Sequence, residues 1–268
     1  MATRDKDGKT ELMHAAWNGQ IDTCRLLIDN GTDVDSKDRF MCTALEYALQ
    51  KNHVDVARLL VERGADVNTS DIEGWTPFMF AVANGPTEFA RLLVEKGADV
   101  DATNILGQNA LIYAAQNGQT ETCMFLVEKG ADLKTKDYIG KTALHHAAWK
   151  GPVELCMFLI SKGAKLNGKD DNGWTPLMFA VMNGQTALCR LLIDSGADVN
   201  ARSRARYRDP TVLMMAIDRG KADVVKLLIE RGADVNAKSY FGKTALYYAK
   251  SDGKDRIISL LEQAGAKE

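Results

Sequence analysis

The sequence predicts an all-α repeat solenoid of eight helix-turn-helix units, and three observations lead there. The stretch KTALHHAAWKGPVELCMFLISKGAKLN at 141–167 is written again and again, with matching starts at Thr10, Thr43, Thr76, Asn109, Thr142, Thr175, Thr211 and Thr244. Successive starts lie 33 residues apart, except for 36 between Thr175 and Thr211; such a period marks stacked units that each bury too little to fold alone. Of 22 glycines, 21 fall at three positions of the repeat. Each repeat also carries two short apolar segments at helical spacing.

Within a repeat, the opening Thr is a good helix N-cap, and Pro77 and Pro176 follow it at the first helical position, which needs no amide hydrogen. The first helix stops at a glycine in seven repeats; in the second repeat the stop is Asn52, the residue that best tolerates the same left-handed backbone. The second helix carries apolar residues such as Val54, Val56, Leu59 and Leu60, begins at Pro86 or Pro152 in two repeats, and ends at a glycine in all eight. Helices of eight to ten residues do not persist alone in water, so neighbours must stabilise them. A third glycine sits in the connecting loop of six repeats; Met41 and Asp209 stand in its place in the other two. The seventh repeat also carries three extra residues at 203–205. The expected organisation is one domain over 1–268, with repeats at about 5–37, 38–70, 71–103, 104–136, 137–169, 170–202, 206–238 and 239–268. Lys250 stands where inner repeats are apolar and Asp255 where they mostly hold Val, Ile, Thr or Ala, and at the other end Glu11 takes the proline site beside Asn18, Gln20 and Asp22, as solubilising end caps should.

Composition narrows the class further. An apolar fraction of 46%, 26% charged residues and a net charge of −2 suit a globular chain and give no global pull toward nucleic acid or anionic membrane. No apolar run is long enough to span a bilayer, and the residues after Met1 are too polar for a secretory signal. Four of the five cysteines (Cys24, Cys123, Cys156, Cys189) share one position of the second helix, where they read as small core residues of a reduced, intracellular protein, cytoplasmic or nuclear.

The residues Thr175-Pro176-Leu177 with Ala180, then Gly184, Leu191-Leu192 and Gly196-Ala197-Asp198-Val199-Asn200, resemble the ankyrin repeat, as do GADVN at 64–68 and 232–236 and TALHHAA at 142–148. The resemblance spans about residues 5–268. It implies an ankyrin-repeat solenoid of antiparallel helix pairs with β-hairpin-like finger loops, and a non-enzymatic protein-protein interaction scaffold or adaptor. It also implies that His145 bonds to nearby loop or Thr groups, and that Asn68, Asn200 and Asn236 stand where such repeats can be hydroxylated.

Chemistry-bearing patterns are sparse. No Ser-His-Asp order, HExxH, GxxxxGK or GxGxxG occurs, and His14 and His146 lie four repeats apart, so neither a catalytic nor a metal site is expected, and no cofactor. The expected partner is another protein or peptide, bound by a chain that is monomeric on its own and does not enter a membrane. The residues expected to hold it are Trp17 and Trp149 at the ends of first helices, Trp75 and Trp174 in the fingers, Phe40, Leu106, Tyr138, Tyr207 and Tyr240 at finger tips, and Met182. The resemblance implies that the Trp positions border a concave face, so the partner is expected on the concave face and finger tips; aromatic and Met side chains on such a pre-formed surface are what interface anchors look like. For Trp75 and Trp174 the alternative is simple packing on the adjacent finger. Arg202, Arg204, Arg206 and Arg208 alternate along the inserted loop. Four guanidiniums on one loop could grip phosphate or an acidic partner, against which stands pairing with local carboxylates such as Asp209 and Asp218. Resemblance to the ankyrin segment of the oligoadenylate-sensing ribonuclease implies the alternative of a sensor that binds a phosphate-rich ligand or oligonucleotide through finger aromatics and this loop.

Overall fold

A computed structural model of the chain describes residues 4–204 and 209–268. The described residues form sixteen α-helices in eight pairs: α1 (Glu11–Trp17) with α2 (Ile21–Asp29), α3 (Ala44–Gln50) with α4 (Val54–Glu62), α5 (Pro77–Asn84) with α6 (Thr87–Glu95), and α7 (Ala110–Gln116) with α8 (Thr120–Glu128). The second four pairs are α9 (Ala143–Lys150) with α10 (Val153–Ser161), α11 (Pro176–Met182) with α12 (Thr186–Asp194), α13 (Val212–Asp218) with α14 (Ala222–Glu230), and α15 (Ala245–Ser251) with α16 (Asp255–Gln263). No sheet forms among them; two isolated antiparallel bridges, Arg4 with Thr10 and Arg202 with Thr211, are the nearest approach. The chain divides into two compact units. The N-terminal unit is 1–114 with 125–132 and the C-terminal unit is 115–124 with 133–268, so the division runs through the fourth helix pair.

The opening Thr caps as expected: Thr10, Thr76, Thr175 and Thr211 each accept a hydrogen bond on Oγ1 from the amide three residues on. Asn109, the one substitute, does the same through Oδ1 for Ile112. Glycine stops also behave as backbone requirements. The three non-glycine residues with positive φ among the described residues are Met41 (63°), Asn52 (58°) and Asp209 (38°), the same three that replace a repeat glycine.

In the N-terminal unit α1 packs on α3 and α3 on α5, with α2 on α4 behind them. In the C-terminal unit α9, α11, α13 and α15 pack in sequence, as do α10, α12, α14 and α16. Phe78, Phe89 and Leu93 fill the first core, and Leu155, Leu159, Leu177 and Leu192 the second. Each such side chain contributes about 1.5–3 kcal/mol on burial, which is what stabilises helices of seven to nine residues. All five cysteines are buried and unpaired; burial pushes the Cys123, Cys156 and Cys189 thiols up to about 12, so they are inert fillers.

Finger loops are closed by their own backbone. The amides of Asp71, Asp137 and Asp170 donate to the carbonyls of Trp75, Lys141 and Trp174, and within each unit tip amides bond to a previous tip, as Ile72 to Phe40 (2.9 Å) and Asp171 to Ile139 (3.1 Å). The Asn side chains of the GADVN segments join repeats: Asn68 accepts from the Asp99 amide and donates to the Gly97 carbonyl. Asn200 and Asn236 make the same pair of bonds to the next repeat.

Candidate partner-binding site

Five fingers are built on an Asp (Asp5, Asp38, Asp71, Asp137, Asp170) whose Oδ1 accepts two amides from the turn, and the fourth on Asn104; Asp71 takes those of Glu73 (2.9 Å) and Trp75 (2.8 Å). Its other oxygen faces the residue nine positions later, on the first helix. Where that residue is Tyr47 or His146, the pair closes: Tyr47 donates to Asp38 at 2.5 Å and His146 to Asp137 at 2.8 Å. Burial pushes the Asp137 carboxyl up, but the His146 hydrogen bond, the turn amides and the charge of His146 outweigh it, and the net shift is downward. In the third and sixth repeats the facing residue is Phe80 or Phe179, which has no donor. Among the described residues, no donor reaches Oδ2 of Asp71 or Asp170, and both carboxyls are raised, chiefly by burial. These two fingers carry the paired sequences GWTPFMFAV (74–82) and GWTPLMFAV (173–181), three periods of 33 apart.

In the N-terminal unit, Trp75 is half-buried between Phe80, 5.2 Å away between centroids, and Tyr113 at 5.0 Å. Trp75, Phe80 and the exposed Phe40 surround a cavity of about 360 Å³ that Asp71, Glu73 and Cys42 complete. Trp17, at the end of α1, is 38% exposed and stands edge-on to Tyr47 at 5.6 Å. Two lysines of the chain already serve it, Lys51 at 4.0 Å and Lys9 at 5.7 Å from the ring centre. Leu106 is exposed at its tip beside Ile105.

In the C-terminal unit, Trp174 is half-buried against Phe179 at 5.1 Å, and Trp149, 51% exposed, meets the same ring at 6.0 Å. They line a cavity of about 530 Å³ with Asp170, Asn172, Lys141 and Lys150. Met182, half-exposed, joins Trp174, Met214, Met215, Phe241 and Tyr248 around a second cavity of about 430 Å³. Tyr138 and Tyr240 stand 67% and 75% exposed at their tips. Arg202 bridges the Asp209 carboxylate (2.9 Å) and the Lys238 carbonyl (2.7 Å), so this arginine is taken up locally. Arg204 is exposed, its amide bound to the Asn172 carbonyl. Arg206, Tyr207 and Arg208 lie outside the described residues.

The histidine of TALH is structural. His145 is buried; its Nδ1 accepts from the Thr142 amide (3.1 Å) and its Nε2 donates to the Gly168 carbonyl (3.0 Å), a proton placement inferred from these partners. Burial pushes the ring down to about 4, so it is neutral at pH 7. The matching position in the second repeat is Glu46, wholly buried, with the Thr43 amide on Oε2 (2.6 Å) and the Thr69 hydroxyl on Oε1 (3.1 Å). Burial raises this carboxyl to about 7, against those hydrogen bonds. No group of three or more His, Cys, Asp or Glu among the described residues is placed to hold a metal ion, and none of the described helices is long and apolar enough to cross a membrane.

The family model for ankyrin repeats (3 copies) matches residues 1–71, 69–137, 136–203 and 203–267. The chain belongs to the ankyrin-repeat family. Ankyrin repeats are generally protein-protein interaction modules and typically not enzymes. A search of curated proteins finds no match for this ankyrin chain.

Sequence reasoning found the tryptophans of both pockets but missed Asp71, Glu73, Phe80 and Cys42, and missed what Glu46 means opposite His145. A signal was present. Listing the repeats against one another shows Phe replacing a hydrogen-bonding residue opposite a retained Asp only at Phe80 and Phe179 where that Asp is kept.

Proposed function

We propose that the chain is a non-enzymatic scaffold or adaptor that holds another protein on surfaces that first-helix ends and finger tips form within each unit. The supporting observation is the repeated exposure of large apolar side chains at equivalent tips: Phe40, Ile72, Ile105 and Leu106 in the N-terminal unit, Tyr138, Tyr240 and Phe241 in the C-terminal unit. Their loops are closed by backbone hydrogen bonds, so the surface is formed before a partner arrives and little ordering entropy is lost on this side. Trp17, Trp75, Trp149, Trp174 and Met182 flank these tips and would act as anchors, with Arg204 contributing charge at the rim. Truncating an anchor costs about 2 kcal/mol of binding.

The test is capture of partners from an extract of the source cell by wild-type chain and by Trp17→Ala, Trp149→Ala and Tyr240→Ala variants. All three side chains are substantially exposed, so melting temperatures should hold while at least one captured protein is lost. Retention of every captured protein by all three variants would remove these residues from the interface.

A further inference from the structure

The two Trp-Phe-Asp pockets share a frame but differ in charge. In the C-terminal unit, Lys141 and Lys150 line the pocket with the single carboxylate of Asp170, and Asn172 adds none. Lys141 Nζ lies 4.7 Å from the centre of the Phe179 ring, and its charge pulls against the burial that raises Asp170. The pocket thus holds an ammonium from its own chain, over an aromatic face and within electrostatic reach of a partly desolvated carboxylate.

Three periods earlier the same frame lacks that cation. Cys42 stands where Lys141 does, and Glu73 where Asn172 does. Lys51, the counterpart of Lys150, is turned to Trp17 instead. The pocket of the N-terminal unit therefore carries two carboxylates, Asp71 and Glu73, and no cationic lining residue. The guanidinium of Arg39 stacks on Phe40 at 4.6 Å but is tied to Asp7 at 2.9 Å. Both substitutions shift the charge in one direction, and Glu73 adds its repulsion to the burial that raises Asp71. A cation between Asp71 and the Trp75 and Phe80 rings would relieve that repulsion and take up the unpartnered Oδ2.

We propose that the pocket of Phe40, Trp75 and Phe80 receives a lysine side chain from the partner protein, in the place that Lys141 fills from within at the matched pocket. The proposal deepens the partner-binding reading above and rests on it for the source of the lysine; the pocket chemistry can be tested without a partner.

The probe is Nα-acetyl-lysine N-methylamide, with Nα-acetyl-norleucine N-methylamide as its uncharged analogue, followed by the indole N–H resonances of Trp75 and Trp174. The expected result is a saturable shift of Trp75 with the lysine probe, about tenfold weaker affinity for the norleucine probe, and no response of Trp174. Cys42→Lys should abolish the Trp75 response, and Lys141→Cys with Asn172→Glu should confer it on Trp174. Should Cys42→Lys fail to fold, Asp71→Asn serves, since Asn104 holds the equivalent turn of the fourth repeat with both amides on its Oδ1; it should weaken the lysine probe about tenfold. Equal responses to the two probes, or a response that survives these variants in folded protein, would overturn the proposal. A chain that captures partners while Trp75 ignores the lysine probe overturns the pocket and spares the scaffold reading. A Trp75 response with no captured partner upholds the pocket and leaves the scaffold reading without support.

Discussion

Residues 38–80 and 137–179 are the same piece of architecture written twice, yet the buried capping residue and the charged lining of the pocket differ between them. At the capping position one copy buries Glu46 and the other His145. Glu46 meets the Thr69 hydroxyl, a donor, whereas His145 meets the Gly168 carbonyl, an acceptor. Facing the finger Asp, Tyr47 and His146 both donate, but the pocket next door swaps an internal lysine for a cysteine. The comparison teaches that this repeat fixes where a polar group must sit and leaves open which sign it carries. Partner groups co-vary with it locally, because a buried donor facing a donor, or an acceptor facing an acceptor, costs more than either hydrogen bond contributes.

Exchanging the capping residues is the strongest way to break that comparison. His145→Glu would set a buried carboxylate against the Gly168 carbonyl and should cost about 4 kcal/mol, read as a lower guanidinium midpoint. Adding Gly168→Thr supplies a hydroxyl and should recover about 1 kcal/mol. Glu46→His meets a hydroxyl that can accept, so it should cost less than about 1 kcal/mol. Equal losses from the two exchanges would mean that the partner groups do not decide the choice.

The pH dependence sharpens the contrast next. Glu46 is raised from an ordinary 4.5 to about 7 in the folded chain. The stability it contributes is full below pH 4.5 and lost as pH rises through 7, because the unfolded chain releases its proton first. His145 is lowered from 6.5 to about 4, so its contribution is full above pH 6.5 and lost as pH falls through 4. Each amounts to on the order of 3 kcal/mol. Glu46→Gln should flatten the decline between pH 4.5 and 7, and His145→Gln the decline between 6.5 and 4, since a Gln amide can accept from Thr142 and donate to Gly168. Denaturation midpoints measured across pH 4 to 8 would show the two slopes removed separately; slopes insensitive to both variants would assign the pH response elsewhere.

The smallest effect concerns the finger turn, where Met41 and Gly140 match. Met41 holds a φ of 63° that side chains other than glycine adopt at a cost, so Met41→Gly should stabilise by about 1 kcal/mol. Gly140 has a φ of 77°, and a Cβ there would lie 3.0 Å from the Asp171 amide nitrogen. Gly140→Ala should therefore destabilise by about 2 kcal/mol. Thermal melts of both variants decide it, and changes of the same sign would show that the two turns are not equivalent.

The sequence alone determined the period, the helix pairs and the turns, because those are set by backbone torsions within a few residues. Met41, Asn52 and Asp209 make the point: each was legible as a missing glycine, and each proved to occupy left-handed backbone. The role of His145 was readable only through the resemblance to ankyrin repeats, and its bond to Thr142, one turn away, agrees with it. What only the tertiary structure decided is who faces whom across a finger or between neighbouring repeats. That Lys141 lies over Phe179, that Phe80 leaves an oxygen of Asp71 without a donor, and that Glu46 is wholly buried beside Thr69 depend on distances between residues 9 to 38 positions apart. No local torsion encodes those distances; packing of one repeat on the next sets them, and with them the charge of each pocket.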